Sequence, residues 1–226
     1  MTIKKLLIAN RGEIASRIIS SAHDMGISCV AIYTEADKDT PYVREADQAF
    51  KLSDSYLNSK EILDIALKSN SDAIHPGYGF LSENAAFANQ VKKLNIKWVG
   101  PSSNAIKKMG DKLTAKEIAI KANVPTLPMT SDPKKANSIG YPILVKAAAG
   151  GGGKGMRIVE DESQLAEAAE GARREAASSF GYDTIFLERF LSSSRHVEIQ
   201  VLGDTTGNAI HCIERECSVQ RRHQKI

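Results

Sequence analysis

Tyr141-Pro-Ile-Leu-Val-Lys146-Ala-Ala-Ala-Gly150-Gly-Gly-Gly-Lys154-Gly155-Met-Arg-Ile-Val159 is the stretch that sets the reading of this chain. An apolar run leads into Lys146, five glycines fall among residues 150–155, and Met156–Val159 has the pattern of a returning strand. Glycine loses more backbone entropy on ordering than any other residue, so a run of them needs a reason. One reason is a loop whose N–H groups come close to phosphate oxygens, with Lys146 and Lys154 supplying positive charge. The rival is a flexible linker, which would need neither flanking strands nor two lysines. The phosphate cradle is the stronger reading.

Upstream, Lys5–Ala9 is a short apolar run of the kind buried in a parallel sheet, and Asn10-Arg-Gly12 turns the chain. Ile14, Ile18, Ile19, Ala22 and Met25 fall on one helical face, Gly26 stops that helix, and Cys29–Tyr33 is the next strand. The alternation continues through a helix at 61–68, a strand at 72–75, a helix at 84–94 capped by Ser82 or Asn84, and a strand at 97–99. Strands separated by short helices predict a doubly wound, Rossmann-like parallel sheet. The first turn, Ala9–Ala15, holds one glycine, so a dinucleotide fingerprint is absent. His75-Pro-Gly-Tyr78-Gly-Phe-Leu-Ser82 follows a strand at the sheet's carboxyl end, which leaves His75 and Tyr78 as candidates beside a simple tight turn.

At 226 residues, with 42% hydrophobic and 25% charged positions, the chain has room for one large domain or two small ones. A net charge of +3 is too small to argue for nucleic acid, and no long apolar run argues for a membrane. Cys29, Cys212 and Cys217 lack zinc spacing and form no disulfide framework, which places the expected compartment in the reducing cytoplasm. Past residue 100, Asp111 caps a predicted helix at 112–122 and several prolines follow, so a domain boundary is expected here. By local pattern alone Lys112 is a solvated surface charge.

Beyond the glycines, Leu165, Ala168, Ala169, Ala172 and Ala176 make a small-residue helical face, and Gly181 ends it. Thr184–Glu188 is a predicted strand. Val197, Ile199 and Val201 alternate with His196, Glu198 and Gln200, and the Gly203–Asn208 turn predicts a hairpin with 209–213. Gln220, Arg221, Arg222, His223 and Lys225 crowd donors and cations just before Ile226, which is read as a frayed basic tail or as a truncation, the latter at least equally.

Taken together, Ile8–Ile14, Ala73–Asn84, Met109–Lys112, Lys146 with the glycine run, Arg195–Val201 and Glu214–Lys225 resemble the biotin carboxylase component of biotin-dependent carboxylases, within the ATP-grasp superfamily. The resemblance implies an N-terminal Rossmann-like domain at 1–110, a helical linker at 111–138, an ATP-grasp lid domain at 139–201, and the start of a C-terminal ATP-grasp domain at 202–226. It implies ATP-dependent carboxylation of biotin from bicarbonate, with Mg2+ ligands beyond residue 226, so that the chain alone is expected to be inactive. Lys112 and Lys146 would contact phosphates, and Gly150, Gly151, Gly152 and Gly153 would close over them, with Met156 at the loop's exit. Glu188, Arg189 and Leu191 would hold the adenine, although many relatives carry lysine at the place of Arg189. His196, Gln220 and His223 would lie near the nucleotide, Lys225 near bicarbonate as the catalytic group, and Tyr78 on the biotin side. Implied partners are a biotin carboxyl carrier protein, a carboxyltransferase and, at full length, a second copy, with no nucleic acid and no membrane. Competing readings are a ligase of the carbamoyl-phosphate synthetase type and a non-catalytic nucleotide-binding module.

Overall fold

The computed structural model describes residues 2–147, 156–181, 183–204, 206–221 and 224–225. The chain divides into two compact units, Met1–Gly110 and Asp111–Ile226.

The first unit alternates strands and helices: β1 (Lys5–Ile8), α1 (Gly12–Asp24), β2 (Ser28–Tyr33), α2 (Pro41–Glu45), β3 (Gln48–Lys51), α3 (Ser59–Lys68), β4 (Ala73–His75), α4 (Ala85–Lys93), β5 (Lys97–Trp98) and α5 (Ser103–Gly110). The strands form one parallel sheet in the order β3-β2-β1-β4-β5. Because side chains alternate along each strand, the sheet builds two cores. Leu7, Ala9, Val30, Ile32 and Ile74 pack with Ile62, Phe87 and Val91 of α3 and α4. Leu6, Ile8, Cys29, Ala31 and Ala73 pack with Ala15, Ile18, Ile19 and Ala22 of α1. Helices therefore cover both faces, the doubly wound architecture that the apolar runs predict. Asn84, rather than Ser82, caps α4, accepting from the Phe87 N–H.

A polar cluster is stitched into this unit. Arg11 grips the buried Asp37 with both Nε, at 2.8 Å, and its terminal nitrogen. Tyr56 donates to Asp37 at 2.6 Å, and its hydroxyl lies 2.9 Å from that of the buried Tyr42. Hydrogen bonding by Arg11 outweighs burial and holds the Asp37 carboxyl at about 2.

The second unit holds α6 (Lys112–Lys121), β6 (Met129–Thr130), α7 (Ala136–Ile139), β7 (Ile143–Ala147), β8 (Arg157–Val159), α8 (Leu165–Phe180), β9 (Ile185–Arg189), β10 (Val197–Gly203), β11 (Ala209–Glu216), β12 (Gln220–Arg221) and β13 (Gln224–Lys225). An antiparallel sheet, β6-β9-β7-β8, is covered by α8. Ile143, Val145, Val159, Ile185 and Leu187 face Leu165, Ala169 and Ala172, where the short alanine side chains permit close approach. Gly181, in the left-handed region at φ 75°, ends α8 as expected. The predicted hairpin forms from β10 and β11, but its register shifts between Ile199 and Val201. The extra residue lies on β11, where 211–214 spans three steps against two on β10, so the alternation read across 197–201 is kept. A division at 201/202 falls inside β10, and β6, within the expected linker, joins the sheet through β9.

Candidate functional site

In the first unit, the strand order reverses between β1 and β4, and the loops leaving their carboxyl ends meet there. Asn10, buried, holds them together: its Nδ2 donates to the carbonyls of Pro76 at 2.6 Å and Tyr78 at 2.8 Å, while its Oδ1 accepts from the Arg11 N–H. The Gly77 N–H donates to His75 Nδ1, and burial lowers the His75 pKa, favouring the neutral ring that can accept this bond. Tyr78 projects outward, 62% exposed, and donates to Glu13 at 2.5 Å, a bond that raises its pKa. Gly77 sits at φ 63°, and a Cβ there would lie 2.5 Å from Asn10 Nδ2. Gly77→Ala is therefore expected to destabilise the protein by roughly 1–3 kcal/mol, read from the urea denaturation midpoint. An unchanged midpoint would show that the Asn10 contact is not a constraint.

In the second unit, the pairing of β7 with β9 sets Leu144 opposite Glu188 and Lys146 opposite Phe186. Lys146 and Glu188 are thus diagonal neighbours on the sheet face turned away from α8. Lys146 Nζ pairs with Glu188 Oε2 and lies 6.0 Å from the centre of the Phe186 ring. The other carboxylate oxygen accepts from Lys116 of α6 at 2.5 Å. The side chains of Lys116, Lys146 and Glu188 are 12%, 27% and 15% exposed. Burial pushes the Glu188 carboxyl up, but the two ammoniums outweigh it and the net shift is downward. Two cations on one anion leave a partly desolvated positive centre on the strand that runs into the glycine stretch, a fit for a phosphate chain.

Lys112 opens α6, whose Asp111 cap accepts from the Thr114 N–H at 2.7 Å, as the sequence predicts. Arg189 points away from Glu188's carboxylate: its guanidinium donates to the Tyr141 carbonyl beside Gly140, and its own N–H donates to Pro128. Leu191 and Met156 are exposed, the latter just before β8. His196 Nδ1 lies 2.8 Å from Gln220 Nε2, so these two candidates are brought together. Gly150, Gly151, Gly152, Gly153 and His223 lie outside the described residues, and Lys225 is placed by its backbone pairing with Gln220.

Residues 2–106 match the biotin carboxylase N-terminal domain, and residues 111–226 match the ATP binding domain of the carbamoyl-phosphate synthase L chain. The chain belongs to the biotin carboxylase family. It is 50% identical, over 99% of its length, to the mitochondrial methylcrotonoyl-CoA carboxylase subunit alpha of Dictyostelium discoideum, of which it spans 34%. Among solved structures, the Campylobacter jejuni biotin carboxylase complexed with βγ-ATP matches with a TM-score of 0.94 and 46% identity, covering 99% of this chain and 53% of that one. The biotin carboxylase domain of Hydrogenobacter thermophilus 2-oxoglutarate carboxylase, complexed with MgADP, ADP and bicarbonate, matches with a TM-score of 0.92 and 44% identity, covering 100% and 52%. The chain thus spans about a third to a half of these family members.

Sequence reasoning passed over Asn10, Glu13 and Lys116. Asn10 looks like a turn residue, and its partners lie 66 and 68 positions away. Lys116 is one of four lysines between residues 108 and 121, and its carboxylate is 72 positions distant.

Proposed function

We propose that this chain carries the nucleotide-binding part of an enzyme that carboxylates biotin on a carrier protein, using ATP and bicarbonate. The observation that carries the reading is the Lys116–Glu188–Lys146 cluster on β7 and β9, at the approach to the glycine stretch, in a chain of this family. Phosphoryl transfer depends chiefly on positioning and charge neutralisation, which ammoniums and loop amides supply. In this proposal Lys112 and Lys146 hold phosphates and Gly150–Gly153 close over them. The Glu188–Leu191 strand end faces adenine, chiefly through its backbone, since both Glu188 oxygens already accept from lysines. Met156, His196, Gln220 and His223 border the nucleotide, Lys225 serves bicarbonate, and Tyr78 serves biotin.

Mg2+ would shield the phosphate charge. Among the described residues, His23, Cys29 and Asp47 bring ligand atoms together, but a thiol and an imidazole are poor donors for this ion. The cluster around Glu188 supplies cations, so the metal's ligands belong to other residues. Partners in this proposal are the carrier, a carboxyltransferase and a second copy. The free thiols of the buried Cys29 and Cys217 suit the cytoplasm. No helix of the described residues is long and apolar enough to cross a membrane.

The complete protein should release ADP from ATP only when bicarbonate and biotin are both present. ADP release that needs bicarbonate and is indifferent to biotin would favour the carbamoyl-phosphate synthetase type of ligase, the reading that the description of the 111–226 match keeps open. The separate match of residues 2–106 to the biotin carboxylase N-terminal domain weighs against it.

A further inference from the structure

Lys116 is given no contact with the nucleotide above, yet it is the least exposed member of its cluster, at 12%. It stands one helical turn beyond Lys112, on the same side of α6. That helix has no buried residue of its own, so its tie to the sheet through Glu188 is conspicuous. Each oxygen of Glu188 serves a different lysine.

We propose that Lys116 is a positioning residue for triphosphate binding: it holds Glu188 so that this carboxylate does not commit wholly to Lys146. The inference rests on the ATP-site reading and deepens it. A carboxylate facing a single ammonium in a poorly solvated place forms a tight pair that a phosphate must break. Breaking that pair also strands the carboxylate without a counter-charge. With Lys116 present, both costs fall. Glu188 divides its charge between two cations, and when Lys146 turns to a phosphate, Glu188 remains paired with Lys116. The device is an exchange of partners in which no charge is left alone.

Isothermal titration of the complete protein with ATP and with adenosine tests this. Lys116→Met should raise the Kd for ATP roughly tenfold and leave that for adenosine unchanged, because adenosine makes no demand on Lys146. Lys116→Arg should restore ATP binding. In the Lys116→Met background, Glu188→Gln should recover the preference for ATP over adenosine, since it removes the competitor for Lys146. Should Lys116→Met fail to fold, judged by near-ultraviolet circular dichroism, Lys116→Gln carries the same expectation. An equal loss for ATP and adenosine, or no recovery on adding Glu188→Gln, would overturn the proposal and leave Lys116 a fold-maintaining residue. Wild-type protein that binds neither compound would instead overturn the ATP-site reading itself.

Discussion

Lys146→Met is expected to lower kcat/KM for ATP by roughly 100-fold or more in the bicarbonate- and biotin-dependent release of ADP. Methionine keeps the length and apolar stem that lie near the Phe186 ring and removes only the charge. Glu188 does not become an orphan in this variant, because Lys116 still holds one oxygen. The thermal midpoint should therefore stay close to wild type while turnover collapses. That separation marks a group which works on the substrate rather than on the fold. Lys146→Arg should recover part of the loss, limited by the planar guanidinium's different reach. Turnover within about threefold of wild type in Lys146→Met would remove the lysine from the phosphate site.

The largest stability effect is expected at Asp37. Its carboxylate is nearly inaccessible and binds Arg11 through both oxygens, with Tyr56 as a second partner. Asp37→Ala removes the acceptor of the Tyr56 hydroxyl and leaves Arg11 without its carboxylate, and should cost roughly 2–4 kcal/mol, read from urea unfolding. The loss is kept below that of a fully enclosed pair because Arg11 is half exposed and can return to water. The folded carboxyl titrates at about 2, against an ordinary 3.8. A depressed folded value means that the contribution is complete above the ordinary value and is lost as pH falls from about 4 through 2. In Asp37→Asn this part of the acid sensitivity should vanish, leaving a flatter stability profile below pH 4. A variant as stable as wild type at pH 7 would refute the assignment.

Much of the first unit is legible in the chain because burial on both faces writes itself as unbroken apolar runs. Lys5–Ala9 and Cys29–Tyr33 are read correctly for that reason, Asp72–His75 is placed by the continuing alternation of strands and helices, and α1 and α4 announce themselves by spacing. Gln48–Lys51 leaves no such trace: β3 is the edge strand, mostly exposed, and its sequence needs no apolar face. Likewise Met129–Thr130 is too short to carry a period, and only Leu187 and Glu188 across the sheet make it a strand. The candidate site divides the same way. Lysines before a glycine run are visible as a phosphate signal, but which carboxylate they share depends on two strands and a helix meeting. Asn10 and Lys116 are ordinary residues until their distant partners arrive.

The alternation along β7 also guards against a folding error. If β7 slid by one residue against β9, Lys146 would turn into the alanine-lined layer beneath α8 and Val145 would take its place outside. That layer is built of apolar side chains, and burying an ammonium among them costs several kcal/mol, which makes the slipped pairing uncompetitive. Glu188 on the facing strand imposes the same condition from the other side. Two residues kept for handling a charged substrate therefore also count the strands into place, so this sheet has only one address at which its charges can be settled.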